Sequence, residues 1–573
     1  MKNREIADIF EKMADILEFK GEISFKVNAY RKASRVIKDL QEDIEGVWQQ
    51  GKLRELPGIG DALVKKIDEY LTSGKISKFE EISRDVPAEL LNLLNIQNLG
   101  PKTLALAHKN LSVNNIQDLL SVISDGSLAQ LPGIGEKKVE NIQKGIQFFL
   151  SAQERISIGK ALPIVEDLIK QLKNKLQIDK ISPAGSVRRM RETVGDIDIL
   201  VASDKAKKVI DAFISLPQVA DVSAAGETKA SIRLKNDGIQ VDLRVVSPDS
   251  FGAAQQYFTG SQAHNVKLRG IAKKQGLKIN EYGVFRDEQK IAGVWEQEVY
   301  RTIGMDWIPS EMREDRGEIE LAAEGKLPQL IEMKDILGDL HVHSTYGDGH
   351  ASIQIMAQKA KEMGYKYIGI CDHSQSAQYA QGLSIEKLLD QINEIDQINK
   401  NLKNFRVLKG TEVDILSDGS LDFPDEILAK LDIVTASIHS GFTKNPTERM
   451  LKAMENPYVD IIGHPTGRLI SQRGGYEIDL NKIFEKARET SKALEINAYP
   501  DRLDLSDINA RKAAEMGIMI AINTDAHEPE NLSFIKYGLG TARRGWLTQA
   551  NVLNCLSFDQ IIRWKKQRIS TKG

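Results

Sequence analysis

Residues 336–573 alternate between short apolar segments and segments with helical spacing, and this alternation constrains the fold more than any other feature. Parallel strands need long crossover connections, so strands that alternate with helices predict a parallel sheet. We therefore predict a distorted (β/α)7 barrel, whose active site is built by the carboxyl ends of the strands and their loops. The seven predicted strands lie in GDLHVH, YKYIGICDH, FRVLKGTEVD, LDIVTASIH, VDIIGHP, KALEINA and IMIAINTDAH.

Seven of the nine histidines lie in this part of the chain, and residues able to bind metal stand at the predicted strand ends. One histidine at a strand end is usually structural, but repetition at successive ends argues for a shared site. Imidazole mixed with carboxylate suits Zn²⁺, Mn²⁺ or iron. Nine ligands are too many for one ion, so we predict two or three ions that activate water and hold a phosphate ester. The predicted ligands are His341, His343, Asp348, His373, Glu412, His439, His464, Asp525 and His527.

A second set of carboxylates lies between residues 180 and 250, where the pattern predicts strands. Asp196 and Asp198 are two residues apart and would face the same side of a strand, and Asp242 follows on a later strand. Three such carboxylates can hold two Mg²⁺ or Mn²⁺ ions ~4 Å apart for nucleotidyl transfer. The alternative is a strand with two solvated aspartates, which the third aspartate and the preceding Gly-Ser pair disfavour. Donors to a triphosphate are predicted at Gly185, Ser186, Arg189 and Gly195.

This segment, GSVRRMRETVGDIDILV followed by VDLRVV, resembles the palm of DNA polymerase beta and its relatives, the family X DNA polymerases. The resemblance continues through YFTGS and INEYGVF. It implies that a Tyr–Phe–Gly turn lies against the incoming sugar, an asparagine meets the base edge and an arginine faces the template. The residues concerned are Tyr257, Phe258, Gly260, Asn265 and Arg269. This chain departs from the family pattern at Val194 and Gln240, which bears on how tightly it binds dNTP.

Residues 1–155 have helical spacing, interrupted by the repeated sequence LPGIG at 56–60 and 131–135 and by a weaker copy, NLGPK, at 98–102. A glycine turn between two helices exposes backbone N–H groups that cradle a phosphate without reading sequence. The alternative is a plain glycine cap between packed helices. We predict helix-hairpin-helix contacts with DNA at Gly58, Gly60, Gly100, Gly133 and Gly135.

The stretches FKVNAYRKA and LPGIGDALVKKIDEYL resemble the polymerase beta domain that removes deoxyribose phosphate through a Schiff-base lysine. The resemblance places the nucleophile at Lys66, with Lys26 and Tyr30 beside it. An amine nucleophile needs a lowered pKa, for example through burial or the neighbouring Lys65. Ala62 stands where the family has a second lysine in this pocket.

The C-terminal segment resembles the polymerase and histidinol phosphatase (PHP) domain through HVHSTYGDG, CDHS, the Glu412 strand, IHS, GHP and DAH, in that order. The resemblance implies all nine metal positions. One ion would lie at His341, His343, Glu412 and Asp525, a second at Glu412, His439 and His464, and a third at Asp348, His373 and His527. In bacterial family X polymerases this domain is associated with Mn²⁺-dependent 3′–5′ exonuclease activity and cleavage at abasic sites.

The composition sets further limits. A net charge of −3 restricts DNA binding to local basic surfaces, and two cysteines argue against a disulfide framework and fit a reducing cytosol. The N-terminus lacks the apolar segment of a signal peptide. The sequence has no run of about 18 apolar residues, so we expect no membrane-spanning segment. We therefore expect a cytoplasmic monomer that acts on gapped or nicked DNA and dNTPs, with Mg²⁺ or Mn²⁺ in the polymerase site and Mn²⁺ or Zn²⁺ in the barrel.

The expected organisation joins a DNA repair polymerase to a 3′–5′ exonuclease. Two rivals remain open: a small-molecule phosphatase fused to a DNA-binding head, and a DNA-end scaffold with inactive sites. The expected domains are a lyase-like helical domain (1–80), a helix-hairpin-helix fingers-like domain (81–155), a nucleotidyltransferase palm (156–265), a thumb (266–318), a linker (319–335) and the PHP domain (336–573).

Overall fold

A computed structural model of the chain describes residues 2–38, 44–84, 86–87, 90, 93–94, 96, 99–152, 155–235, 238–442, 444–470 and 475–570. The chain separates into two compact units, each made of two stretches of sequence. The first unit contains residues 1–154 and 204–303, and the second contains residues 155–203 and 304–573. The first half of the predicted palm therefore belongs to the same unit as the C-terminal barrel.

The N-terminal part of the first unit is helical, as the apolar spacing predicts. In the first helix Ile6, Phe10, Met13 and Leu17 recur every three or four residues and are all buried in one core. The helices of this part are Lys2–Phe19, Ser24–Lys38, Ile44–Gln49, Asp61–Ser73, Ser77–Ser83, Pro101–Leu111, Ile116–Ser124 and Glu136–Ala152.

Residues 204–303 of the first unit add an antiparallel meander of three strands, in which each strand pairs with the next along the chain. A second antiparallel sheet follows. The strands are Val219–Ala225, Lys229–Leu234 and Gln240–Val246 in the first sheet, and Leu277–Asn280, Gly283–Arg286 and Gln289–Ala292 in the second. The helices are Ala206–Ile214, Phe251–Thr259, Gln262–Lys274 and Glu296–Thr302.

The second unit begins with a long helix, Ile158–Lys175, and two antiparallel strand pairs. Ile156–Ser157 pairs with Thr193–Val194, and Lys180–Pro183 pairs with Ile197–Ala202. The short helix Gly185–Arg188 follows Lys180–Pro183 directly, so the Gly-Ser pair stands at the end of that strand.

A seven-stranded parallel barrel forms the rest of the second unit, and its strands pair in their order along the chain. Val342, the last residue of the first strand, forms a parallel bridge with Ala526, which follows the last strand, and this brings the two edges together. The predicted (β/α)7 fold class is confirmed. The strands are Gly338–Val342, Tyr367–Ile370, Arg406–Asp414, Ile433–Ser437, Ile461–Ile462, Ala493–Asn497 and Ile520–Asn523.

The barrel strands are buried along nearly their whole length, as expected for parallel strands covered on both faces. The second unit's remaining helices are Glu318–Ala323, Ile353–Glu362, Ile385–Asn401, Asp425–Leu428, Pro446–Glu455, Leu480–Thr490, Asp507–Glu515, Ile535–Arg544 and Phe558–Ser570. Across the described ranges, no helix combines the length and apolarity that a membrane crossing requires.

Candidate metal centre and nucleotidyl-transfer site

Glu412, at the third barrel strand, is the centre of the histidine cluster. Its Oε1 lies 3.0 Å from His464 Nε2 and 3.2 Å from His439 Nε2. Its Oε2 lies 3.0 Å from His373 Nδ1 and 3.4 Å from His341 Nε2. One buried carboxylate therefore faces four imidazoles from four different strand ends.

The other predicted ligands join the same cluster. His343 Nε2 lies 2.9 Å from Asp525 Oδ1, and His527 Nε2 lies 3.4 Å from Asp348 Oδ2. Asp525 has a φ of 56°, a conformation that L-residues adopt rarely and that is concentrated at functional sites. All nine predicted ligands are thus brought together at the carboxyl ends of the strands.

The ligand atoms form three overlapping groups, each with its atoms within 4.8 Å of one another. One group joins four residues, and two groups of three share Glu412. The groups are His343 with Asp348, His373 and His527; His341 with His343 and Glu412; and His373 with Glu412 and His439. Three groups fit the expectation of two or three ions, although the residues divide among them differently from the division that the resemblance implies.

Several atoms that would bind metal are buried and make no hydrogen bond with the residues described. They are His341 Nε2, His343 Nδ1, Asp348 Oδ1 and Glu412 Oε2. Leaving a buried polar atom without a partner costs roughly 1–3 kcal/mol. Four such atoms in one cluster of imidazoles and carboxylates fit a site built for cations.

Charge within the cluster shifts the pKa values of its members strongly. Burial lowers the pKa of His439, but the carboxylates of Glu412 and Asp414 outweigh it and raise that pKa to about 10. Burial also lowers the pKa of His527, but the carboxylates of Asp348 and Asp525 outweigh it and raise that pKa to about 9. By contrast, burial and the neighbouring His527 lower the pKa of His343 to about 4.

Sequence reasoning missed the carboxylates that orient the ligands. Glu495 accepts a hydrogen bond from His341 Nδ1 at 2.8 Å and another from the backbone of His464 at 2.7 Å. Asp414 pairs with His439 Nδ1. Such partners fix the ring orientation of a ligand histidine. Asp414 and Glu495 each stand two residues from another polar side chain at the same strand end, which was the available signal.

Arg502 was also missed. Its Nε lies 3.8 Å from Asp525 Oδ2, and its side chain is about one-fifth exposed, at 22%. The guanidinium donates no hydrogen bond to any residue in the described part of the chain. Arg468 donates to the backbone carbonyls of Arg502 and Leu503, which holds this segment in place. A guanidinium with free donors therefore stands beside the metal ligands.

The nucleotidyl-transfer residues of the second unit lie where their motif predicts. Asp196 is exposed before its strand and Asp198 is half-buried within it, while Ile197 and Ile199 face the core. Gly185 has a φ of 57°, and a side chain there would collide with the carboxylate of Asp198. Glycine is therefore required for this close approach. Ser186 lies in the short helix Gly185–Arg188, and Gly195 directly precedes Asp196.

Asp242 belongs to the first unit and has its own set of partners. Its Oδ2 lies 2.8 Å from Lys229 Nζ, and its Oδ1 accepts a hydrogen bond from Gln240 at 3.0 Å. Burial raises the pKa of Asp242, but Lys229, Ser231 and Gln240 outweigh burial and lower it. Lys229, which sequence reasoning missed, thus provides a cation beside the third carboxylate.

Arg189, a predicted triphosphate ligand, already has a carboxylate partner. Its Nε donates to Glu314 Oε1 at 3.0 Å, and the same oxygen accepts from Arg544 of the barrel part at 2.9 Å. Only about a tenth of the Arg189 side chain is exposed, 11%. A triphosphate would have to compete with Glu314 for this guanidinium.

The predicted nucleotide- and template-contacting residues of the first unit cluster around one turn. Asn265 Nδ2 donates to the Tyr257 carbonyl at 2.7 Å, and the Arg269 guanidinium lies 5.8 Å from the Tyr257 ring. Phe258 packs edge-on against Tyr257, and Gly260 has a φ of 69°. These five residues therefore form one local structure, consistent with a shared role.

The three predicted lyase residues also lie together in the first unit. Lys66 Nζ lies 5.9 Å from the centre of the Tyr30 ring and donates to the carbonyl of Ala62. Burial lowers the pKa of Lys66, and the charges of Lys78 and Lys26 lower it further. The direction is the one that an amine nucleophile needs.

The two LPGIG copies adopt the same turn. Ile59 donates to Leu56 and Ile134 donates to Leu131, at 3.1 and 3.0 Å, and the central glycines Gly58 and Gly133 have φ values of 86° and 75°.

The final glycine of each copy, Gly60 or Gly135, directly precedes a helix. In the weaker copy, Gly100 also directly precedes a helix. The first residue of that copy, Asn98, lies outside the described residues. Helix N-termini are thus presented at all three turns.

Four family models match the chain in the order of its elements. They are described as "Helix-hairpin-helix domain" (residues 1–76), "SAM-like Helix-hairpin-helix tandem" (89–147), "DNA polymerase beta thumb" (254–314) and "PHP domain" (339–499). The models agree with the repeated glycine turns, with the turn around Tyr257 and with the barrel.

Curated relatives match either the whole chain or the barrel alone. The chain is 41% identical over 567 residues to "DNA polymerase/3'-5' exonuclease PolX" of Bacillus subtilis (strain 168), covering 98% of this chain and 99% of that protein. Proteins named "Probable phosphatase" from Thermoanaerobacter sp. (strain X514) and Thermoanaerobacter pseudethanolicus are each 34% identical over 254 residues, covering 41% of this chain and 98% of theirs.

Proposed function

The chain belongs to the bacterial family X DNA polymerases that carry a C-terminal PHP domain, and we propose that it fills short DNA gaps with dNTPs and trims 3′ ends in its barrel. The observation that supports the proposal is that all nine predicted metal ligands lie at one end of the barrel, seven of them in groups that could hold a metal ion, in a chain that also carries polymerase elements. Trimming and extension complement each other, because a damaged 3′ end blocks dNTP addition.

In the proposed polymerase, Asp196, Asp198 and Asp242 hold Mg²⁺ or Mn²⁺, which would supply Lewis-acid activation of the primer hydroxyl. Gly185 keeps the loop close to Asp198, and Lys229 and Gln240 keep Asp242 ionised and in place. Gly185, Ser186, Arg189 and Gly195 bind the triphosphate. Tyr257, Phe258, Gly260 and Asn265 select the nucleotide, and Arg269 faces the template.

In the proposed exonuclease, the nine barrel residues hold two or three Mn²⁺ or Zn²⁺ ions, which would supply an activated water. Arg502 takes a separate role, because it is cationic and no metal ligand. Its free guanidinium donors suit a non-bridging oxygen of the scissile phosphate. Arg502 therefore supplies a positive charge beside the cluster, which favours an anionic substrate.

The finer assignments belong to the same proposal. The helix-hairpin-helix turns bind DNA phosphates, Lys66 with Lys26 and Tyr30 removes deoxyribose phosphate, and the barrel cleaves at abasic sites as an additional reaction. We also propose that the domains have the predicted boundaries and that the protein is a cytoplasmic monomer. Borohydride trapping on an abasic substrate tests the lyase role: an adduct lost in Lys66→Ala supports it, and the absence of an adduct refutes it.

The first experiment follows a labelled primer on gapped DNA with Mn²⁺. We compare the wild type, Asp196→Ala/Asp198→Ala and His341→Ala/His343→Ala. Extension should disappear only in the first variant and shortening only in the second. Shortening that survives the histidine substitutions would overturn the exonuclease assignment.

The named phosphatases among the relatives favour a second candidate, hydrolysis of a small phosphate monoester in the barrel. Single-stranded DNA and p-nitrophenyl phosphate should compete for one site if DNA is the substrate, with DNA the stronger inhibitor. Arg502→Lys provides a further test. It should raise the KM for DNA several-fold while the metal content stays unchanged, whereas Arg488→Lys, an exposed helix position, should change neither.

A further inference from the structure

A cavity of about 240 Å³ in the second unit lies between the nucleotidyl-transfer loop and the barrel part of the same unit. It contains none of the nine barrel ligands and neither Asp196 nor Asp198. Its charged lining residues are Arg191, Glu192, Arg316, Arg468, Asp507 and Arg544.

The charges that line this cavity do not balance. Four guanidinium groups face two carboxylates, which leaves a formal excess of two positive charges. The two carboxylates each already serve an arginine: Glu192 pairs with Arg468 at 2.7 Å, and Asp507 pairs with Arg316 at 2.9 Å. An excess of this size in a confined space matches one phosphate group, which carries one or two negative charges.

The arginines are held in position yet keep donors for a ligand. Arg316 uses only Nη1, toward Asp507, and Arg468 uses Nε and Nη2. Arg544 is 5% exposed and fixed by Glu314 and Asp507.

Arg191 is the least restrained of the four. Its side chain is 41% exposed and its Nη1 lies 3.6 Å from Glu314, and its guanidinium donates no hydrogen bond to the residues described. The other three guanidinium groups are held by carboxylates and would bind phosphate with little loss of side-chain entropy.

We propose that this cavity is a phosphate-binding site, distinct from both catalytic centres. Arg191 and Arg316, from two separate segments of the chain, donate hydrogen bonds to the phosphate oxygens. Arg468 donates a further hydrogen bond through its free Nη1, and Arg544, which stays bound to Glu314 and Asp507, contributes positive charge. Glu192 is the competing anion, because it occupies Arg468 and repels an incoming phosphate. The phosphate comes either from a DNA strand or from a free diphosphate, and the oxygen chemistry is the same in both cases.

The test uses the full-length chain treated with a chelator, which removes phosphate binding through metal ions. Binding of two probes is measured by calorimetry: inorganic diphosphate and a single-stranded 12-mer oligonucleotide. The variants are Arg191→Gln, Arg316→Gln and Glu192→Gln. Arg563→Gln is the matched control, since Arg563 lies on the helix Phe558–Ser570 and does not line the cavity. Thermal unfolding of each variant checks that the fold is intact.

Arg191→Gln and Arg316→Gln should each weaken binding of at least one probe about tenfold, the equivalent of one charge-assisted hydrogen bond. Glu192→Gln should tighten binding of the same probe, and Arg563→Gln should leave it unchanged. If only binding of the oligonucleotide is weakened, the phosphate that the cavity binds comes from DNA. The slope of log K against log salt concentration should then decrease in magnitude by ~0.7 for each lost phosphate contact. A selective loss for diphosphate identifies the free anion.

Affinities for both probes that stay at the wild-type value in Arg191→Gln and Arg316→Gln would overturn the proposal. Weaker binding of the probes by Glu192→Gln would also overturn the proposal, because it would show that the ion pair of Glu192 with Arg468 only stabilises the loop. This inference does not rest on the proposed exonuclease activity, and failure of the primer assay would leave its outcome unaffected.

Discussion

The barrel cluster and the nucleotidyl-transfer carboxylates are both predicted metal sites, yet the chain assembles them differently. All nine predicted barrel ligands lie in one compact unit, at or just after the carboxyl ends of six of the seven strands of one sheet. Asp196 and Asp198 belong to that unit as well, but Asp242 belongs to the other. The comparison teaches that one barrel sheet organises all the predicted ligands of the barrel cluster, whereas the three predicted polymerase carboxylates are divided between the two units.

The two sites also stabilise their carboxylates differently. Glu412 is surrounded by imidazoles that are themselves predicted metal ligands. Asp242 is held by Lys229 and Gln240, which are not predicted ligands. We therefore expect substitutions in the barrel to alter metal binding directly, and substitutions around Asp242 to act more weakly.

The largest effect is expected for Glu412→Gln, because this carboxylate faces four of the histidines. Shortening of a labelled primer should fall by at least about 10³-fold, while extension of the same primer stays within about twofold, since the polymerase carboxylates lie elsewhere. Glu426→Gln, an exposed barrel glutamate, is the control. An equal loss of extension would break the comparison by showing that the two sites act as one.

Glu495→Gln should have the next largest effect. Glu495 orients His341 and His464 without being a predicted ligand, so its neutral amide should cost 10- to 100-fold in metal affinity. Metal titration followed by calorimetry measures this, with the exposed Glu489→Gln as control. Unchanged affinity would mean that the barrel backbone alone orients the imidazoles.

The pH dependence of metal binding should separate the sites further. The pKa values of about 10 for His439 and about 9 for His527 lie above neutrality, so at pH 7 both imidazoles are in the doubly protonated, cationic form in the metal-free protein. A metal ion must displace these protons, so its affinity for the barrel should rise between pH 7 and 9, by up to about tenfold per pH unit for each displaced proton.

Calorimetry in buffers of different ionisation enthalpy counts the protons released. The Asp242 pKa is lowered, so that carboxylate is already ionised at pH 7 and requires no such release. A barrel affinity that stays flat across this pH range would contradict the expectation.

The smallest effect is expected for Lys229→Gln. Lys229 is 41% exposed, so solvent screens its attraction to Asp242 and a bound metal compensates for its loss. Single-turnover primer extension should slow by about threefold, and Lys235→Gln, directly after the strand that begins at Lys229, should leave the rate unchanged. A hundredfold loss would show that Lys229 contacts the reacting groups and is more than a partner of Asp242.

Local patterns in the sequence predicted much of the fold. The seven apolar segments became the seven barrel strands, and the two LPGIG copies formed the same turn, because strand alternation and glycine turns depend on neighbouring residues. The same holds for the nine predicted ligands, since each stands at or just after the carboxyl end of a predicted strand. A parallel barrel then collects those ends on one side.

The sequence alone therefore predicted the candidate metal ligands and the strand ends on which they stand. Only the tertiary structure showed that Glu495 and Asp414 orient the histidines, that Arg502 stands free beside them, and that Glu314 occupies Arg189. Those pairs join residues separated by 23 to 154 positions along the chain, and no local periodicity specifies such distant neighbours. Their proximity follows from barrel closure and from the folding of residues 155–203 into the same unit as the barrel.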